Sequence, residues 1–129
     1  MSALQSIEEV NKLILVVDDD AMNLRMAEFI LERQGYLVCK VESGMECLSF
    51  LKTSTPNLIL LDIEMPMMSG MKALEKIRKD MNIAYTPVIF LTSTADAESV
   101  AEACRLEAVD YIKKPFEPAE LLERVRKAL

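Results

Sequence analysis

Apolar positions along this chain follow two alternating rhythms. Leu13 to Val17 is a continuous apolar run rich in β-branched residues, the pattern of a parallel strand buried on both faces. Residues 21 to 34 follow with helical spacing, placing Ala27, Ile30, Leu31 and Gln34 at i, i+3, i+4 and i+7. Gly35 then stops that helix as a C′ residue. Leu37 to Val41 predicts a second, weaker strand, and a short helix runs from about Met45 to Lys52, with Pro56 closing the connection. Leu58 to Leu61 predicts a third buried strand ending at Asp62. A loop over 63–69 leads to Gly70 and a helix carrying Leu74, Ile77 and Met81. Pro87 opens a fourth strand, Val88 to Leu91, and a helix from about Asp96 to Leu106 places Ala97, Val100, Ala101 and Cys104 on one face. A fifth strand, Val109 to Ile112, precedes a last helix with Leu121, Leu122, Val125 and Leu129 on its apolar face. Glu120–Arg124 and Glu123–Lys127 are i,i+4 pairs on that helix, worth only tenths of a kcal/mol each.

Five strands alternating with five helices imply an α/β fold with a parallel sheet covered on both faces. Right-handed crossovers leave few topologies, and the expected one is a doubly wound three-layer αβα sandwich. In such sheets the functional groups gather beyond the carboxyl ends of the strands.

Composition narrows the chemistry. A chain of 129 residues is expected to form one domain, here over residues 12–129, with 1–11 as an amino-terminal extension. Because the chain stops within a helix, a stand-alone domain and the amino-terminal piece of a longer protein are expected with equal odds. Apolar residues make up 51% and charged residues 28%, which excludes a disordered or fibrous class. The net charge of −6 argues against direct contact with nucleic acid or anionic lipid. Met1 to Lys12 contains no apolar signal core, and the apolar runs are far too short to span a bilayer, so a cytoplasmic location is expected. Cys39, Cys47 and Cys104 are scattered and odd in number, and read as reduced thiols packed as small hydrophobes. The chain has no His, which excludes Ser-His-Asp and Cys-His catalysis and imidazole ligation of metals. A Gly-rich phosphate loop is absent, which counts against nucleotide binding.

Polar groups mark four of the strand ends. The first strand runs into Asp18-Asp19-Asp20, the third into Asp62, the fourth into Thr92-Ser93 and the fifth into Lys113-Lys114-Pro115. Asp20, just before the first helix, is best read as its N-cap. Clustered carboxylates on neighbouring strands repel and need a counter-ion, and an all-oxygen set suits a hard cation such as Mg²⁺. Asp18, Asp19 and Asp62 against one divalent ion leave −1, which Lys114 balances. A phosphoryl group entering there meets the groups that neutralise charge in its transfer, and a carboxylate is a competent nucleophile toward phosphorus.

These segments resemble the receiver domain of bacterial response regulators. The resemblance is carried by Ile14 to Asp19, Leu60 to Pro66, Ser69-Gly70, Pro87 to Ser93 and Asp110 to Phe116, each weak alone and specific in this order and spacing. It covers Lys12 to Leu129 and implies the flavodoxin-like strand order 2-1-3-4-5. It also implies a role for each matching residue. Asp62 is the phospho-acceptor, Asp19 the direct metal ligand, and Asp18 orients a metal-bound water. The backbone carbonyl of Glu64 completes the metal set, for Mg²⁺ with Mn²⁺ as an alternative. Lys114 pairs with phosphoryl oxygens, the Thr92 hydroxyl and the Ser93 backbone N–H donate to them, and Tyr111 follows the movement of Thr92. The Lys114–Pro115 bond is implied to be cis.

By the same resemblance the phosphoryl donor is a phosphohistidine on a sensor histidine kinase or a histidine phosphotransfer protein. The chain would not be an enzyme with a turnover substrate; it would catalyse only its own phosphorylation and dephosphorylation. Glu64 and Thr94 would flank the path of the hydrolytic water. The output would be a shift in the surface formed by the fourth helix, fifth strand and fifth helix, with a phosphorylation-dependent homodimer as one consequence.

Two positions depart from the family pattern. Ser69 stands where Asp is usual, and Glu107 stands in a turn that usually holds Gly, which predicts a turn of different shape. Met65, Met67, Met68 and Met71 are expected to serve packing first and partner docking second. A rival from another class is a haloacid-dehalogenase-like phosphatase, which also uses a strand-end Asp with Mg²⁺. It expects Asp where this chain has Glu64.

Overall fold

The computed structural model describes residues 11–94 and 96–129, so the expected extension over 1–11 lies outside it except for Asn11. Elements alternate as β1 (Leu13–Val17), α1 (Ala21–Glu32), β2 (Leu37–Val41), α2 (Gly44–Leu51), β3 (Leu58–Asp62), α3 (Gly70–Lys79), β4 (Val88–Thr92), α4 (Ala97–Arg105), β5 (Asp110–Lys113) and α5 (Pro118–Ala128). The five strands are parallel in the order β2-β1-β3-β4-β5.

Both faces of the sheet are dry because the three central strands are apolar at every position before the carboxyl ends of β3 and β4, where Asp62 and Thr92 stand. Ile14, Val16, Leu58, Leu60, Ile89 and Leu91 point to one side and pack on Leu24, Ala27 and Leu31 of α1 and on Leu121 and Val125 of α5. Their alternates Leu15, Val17, Ile59, Leu61, Val88 and Phe90 point to the other side, against Cys47 of α2, Leu74 and Ile77 of α3, and Ala103. The period of two along each strand thus builds two cores separated by one sheet. Chain order reverses between β1 and β3, whose carboxyl ends therefore border the crevice where such sheets bind ligands.

The helices are capped as their sequences suggest. Asp20, Ser43, Ser69 and Asp96 each accept a backbone N–H from the first turn of α1, α2, α3 and α4. Gly35 takes φ 93° after α1. Gly70 has a tertiary reason: a Cβ there would lie 2.2 Å from the Asp62 carbonyl oxygen, so only glycine lets α3 start against the end of β3.

Several expectations need correction. The buried positions are Ala103 of α4 and Leu106 just past its end, whereas Ala101 and Cys104 face solvent. Of the expected apolar stripe, Val100 is half-buried and lines a cavity with Ala103, and the Ala97 side chain lies outside the described residues, so half of the stripe was drawn on the wrong side. Cys104 is therefore not packed, while Cys47 is buried enough to push its thiol up to about 12. Met81 lies beyond the end of α3 and is exposed, and Val109 precedes β5 and is half exposed. Leu129 follows α5 and is partly exposed.

The turn at Glu107 does not change shape. Glu107 adopts φ 61°, the left-handed conformation a glycine would take. Arg78 of α3 explains how it is held: its guanidinium donates to the carbonyls of Leu106 at 3.0 Å and Glu107 at 3.1 Å. The same group also bonds the carbonyls of Ala84 at 3.0 Å and Thr86 at 2.8 Å. These hydrogen bonds offset a backbone strain of about 1 kcal/mol.

Candidate functional site

Each strand of the sheet's centre delivers its last residues to one pocket. β1 runs on into Asp18, which is fully buried, and Asp19, which is exposed. Asp62 closes β3 with 1% exposure. Carboxylate oxygens of Asp18, Asp19 and Asp62 come within 4.8 Å of one another. Asp20, the third acid of the run, turns away to cap α1 through Met22 N–H at 2.9 Å.

Three contacts hold the buried Asp18. Its Oδ1 accepts the Asp20 N–H at 2.9 Å, and its Oδ2 accepts Asn23 Nδ2 at 3.2 Å and lies 3.5 Å from Lys114 Nζ. Nothing in the sequence pattern singled out Asn23, which sits on α1 as one polar residue among several.

Lys114 reaches the site from beyond β5. Its N–H donates to the Thr92 carbonyl at 2.6 Å, continuing the β4–β5 ladder, and the peptide bond that follows, Lys114–Pro115, is cis. Its ammonium donates to Asp62 Oδ1 at 2.9 Å. That oxygen also accepts the Glu64 N–H at 3.2 Å, whereas Asp62 Oδ2 is buried without a hydrogen-bond partner among the described residues.

The electrostatics follow from burial. Desolvation is the largest influence on Asp62 and, with the Asp18 charge, pushes its carboxyl up to about 7 against the pull of Lys114. Burial alone would depress the Lys114 ammonium, but its hydrogen bond to Asp62 and the charges of Asp18, Asp62 and Glu64 hold it above its ordinary value. A hard cation fits this chemistry: it would satisfy the orphaned Asp62 Oδ2 and neutralise acids that otherwise repel.

The end of β4 brings hydroxyls and an amide. Thr92 is buried, and its hydroxyl lies 2.9 Å from Glu64 Oε1 and also against the Thr94 carbonyl. Ser93 donates to Glu64 Oε1 through both its N–H, at 3.2 Å, and its hydroxyl, at 3.0 Å. Partial burial would raise the Glu64 carboxyl, but the bonds from Thr92 and Ser93 outweigh it and hold that carboxyl low. The Glu64 side chain is thus a member of the site that the sequence pattern left without a partner. Tyr111, on the edge strand β5, is 38% exposed and lines, with Ile63, Phe90, Thr92 and Ala103, a small cavity beneath it.

Met22, Met26 and Phe29 of α1 are exposed and line an apolar groove with Pro118 and Leu122 of α5, which Arg25 and Arg33 also line. No helix among the described residues is long and apolar enough to cross a membrane.

Comparison with known proteins points the same way as the geometry. A family model described as the response regulator receiver domain matches residues 14–126. A probable transcriptional regulator, ycf27, of Porphyridium aerugineum is 40% identical over 116 residues, which are 90% of this chain and 47% of that protein. The DNA-binding response regulator MtrA of Mycolicibacterium paratuberculosis is 36% identical, over 90% of this chain and 50% of its own length. This chain thus spans about half the length of these curated relatives. Among solved structures, chemotaxis protein CheY4 of Vibrio cholerae superposes with a TM-score of 0.89 at 28% identity, covering 93% of this chain and all of that one. Neither the family model nor these relatives point to a haloacid-dehalogenase-like phosphatase.

Proposed function

The chain belongs to the response-regulator receiver family, and from that premise we propose that it is switched by phosphorylation of Asp62. The observation that carries this reading is the state of that carboxylate. Oδ1 is held by Lys114 at 2.9 Å, and Oδ2 is buried with no partner among the described residues, beside the acids that follow β1. A buried oxygen without a partner costs about 1–3 kcal/mol, so its retention argues for a function.

Asp18, Asp19 and Asp62, with the Glu64 backbone carbonyl, would hold Mg²⁺, and Mn²⁺ would serve by the same oxygen chemistry. The ion supplies neutralisation of phosphoryl charge when bound. The remaining work falls to the chain's own residues. Asp62 attacks phosphorus, forming a P–O bond as the P–N bond of a phosphohistidine breaks and its electron pair leaves with the imidazole. Lys114 would balance charge on the transferred oxygens, and the Thr92 hydroxyl and Ser93 N–H would donate to them. Thr94 and Glu64 flank the approach of the water that later hydrolyses the acyl phosphate.

A phosphoryl group drawing Thr92 toward Asp62 would free space for the Tyr111 ring, which now stands half outside. The altered surface of α4, β5 and α5 would then act on an output or on a second copy of the chain. The phosphodonor would be a sensor histidine kinase or a histidine phosphotransfer protein, and the apolar groove between α1 and α5, with Arg25 and Arg33 in its lining, suits docking of such a partner.

Intact-mass spectrometry after treatment with a small acyl phosphate tests the reading. One added phosphoryl group is expected, requiring Mg²⁺ and lost in Asp62→Asn. An adduct that forms without the metal, or persists in Asp62→Asn, overturns it.

A further inference from the structure

Glu64 Oε1 collects three donors: the Thr92 hydroxyl at 2.9 Å, the Ser93 hydroxyl at 3.0 Å and the Ser93 backbone N–H at 3.2 Å. Two of these, the Thr92 hydroxyl and the Ser93 N–H, are the donors assigned above to the phosphoryl oxygens. Such donors discriminate poorly between one anionic oxygen and another, since both are charge-assisted acceptors. The backbone N–H of the same residue donates to Asp62 Oδ1 at 3.2 Å, so Glu64 bridges the acceptor carboxylate and the donor set.

We propose that the Glu64 carboxylate is an internal occupant of the phosphoryl-oxygen subsite, which must leave before a phosphoryl group on Asp62 can engage Thr92 and Ser93. The inference rests on the reading of Asp62 as acceptor. Glu64 is exposed, so its departure into water disturbs no packed core. Neither the Thr92 hydroxyl nor the Ser93 N–H can serve both anions. The Thr92 hydroxyl has one proton, already divided between Glu64 and the Thr94 carbonyl, and the Ser93 N–H has one. Two negative groups would also repel across so short a distance.

Two consequences follow. Affinity for a phosphoryl group is reduced by the fraction of time the subsite is filled from within. The site is also kept ordered when unphosphorylated, because Thr92 and Ser93 are held together by the residue that mimics the ligand. Glu64 thereby sets the threshold for switching without touching the transferred phosphorus.

The test titrates beryllofluoride, a phosphoryl analogue, with Mg²⁺ into the wild-type chain and into Glu64→Ala and Glu64→Gln, following the Ser93 amide by NMR. Half-occupancy is expected at roughly tenfold lower beryllofluoride in Glu64→Ala, with Glu64→Gln between, since Gln keeps an acceptor oxygen without the charge. Before any metal or fluoride is added, the Ser93 amide proton should move upfield in Glu64→Ala. At saturation the wild-type and variant signals should converge. A merely structural role for Glu64 would weaken binding in the variants, and an unchanged or higher half-saturation overturns the proposal. Acyl phosphate labelling run in parallel separates the failures. If Asp62 is labelled and half-saturation does not fall, the inference alone fails. If Asp62 is never labelled, the acceptor reading fails and takes the inference with it.

Discussion

The ammonium of Lys114 stands 2.9 Å from Asp62 Oδ1, and the other oxygen of that carboxylate is buried with no partner among the described residues. One cation thus serves half of an acid whose second half is left for something else. With 14% exposure at the lysine side chain and 1% at the aspartate, the pair is shielded enough for its charges to matter.

Replacing that cation tests its role in transfer. Lys114→Met keeps the aliphatic stem and removes the charge, so labelling of Asp62 by a small acyl phosphate should slow by on the order of 100-fold. A time course by intact-mass spectrometry reads it, and an unchanged rate removes Lys114 from the phosphoryl-neutralising set.

Asp62 should make stability depend on pH in the metal-free protein. Its carboxyl is pushed up to about 7, chiefly by burial, so the fold favours the protonated form. A raised acid adds stability that is fully present below the ordinary carboxylate value and lost as pH rises through about 7. Asp62→Asn, which cannot ionise, should therefore melt several degrees above wild type at pH 8 in a chelator. The advantage should shrink steadily as pH falls toward about 5. Thermal melts across that range check the sign, and a variant less stable than wild type at pH 8 contradicts it.

Divalent metal should reverse that penalty. Mg²⁺ at about 100 times its dissociation constant would stabilise the folded chain by about 2.7 kcal/mol. In Asp19→Asn the metal-induced rise in Tm should largely vanish, while the melt in chelator stays within about 0.5 kcal/mol of wild type, because Asp19 is exposed.

The turn before β5 offers a test remote from the site. Arg78→Ala leaves four carbonyls, those of Ala84, Thr86, Leu106 and Glu107, without their donor, and a loss of about 2–4 kcal/mol is expected in urea unfolding. Glu107→Gly relieves the positive φ of 61° and should stabilise by about 0.5–1 kcal/mol.

Legibility in the sequence varied with how local the cause was. β1, β3 and β4 are apolar at nearly every position, so their runs could be read directly, and the caps at Asp20 and Ser69 depend on residues only a few places away. α4 was harder because small apolar side chains lie on both of its sides. Val100, Ala101 and Cys104 make as good a stripe in one dimension as Val100, Ala103 and Leu106 do. Only contact with the sheet selects the second set.

Alternation of strands and helices, and the polar residues at the strand ends, were determined by the sequence alone, because periodicity, capping and turn chemistry act over a few residues. Which of three consecutive acids turns inward was not. Asp18 is buried because Asn23 and Lys114 meet it there, and Lys114 lies 96 positions further along the chain. The engagement of Glu64 by Thr92 and Ser93, 28 and 29 residues away, and the collection of four carbonyls by Arg78 have the same origin. Such partnerships exist only once the parallel sheet has brought its carboxyl ends together, since distance in space, not spacing along the chain, decides which charges and dipoles interact.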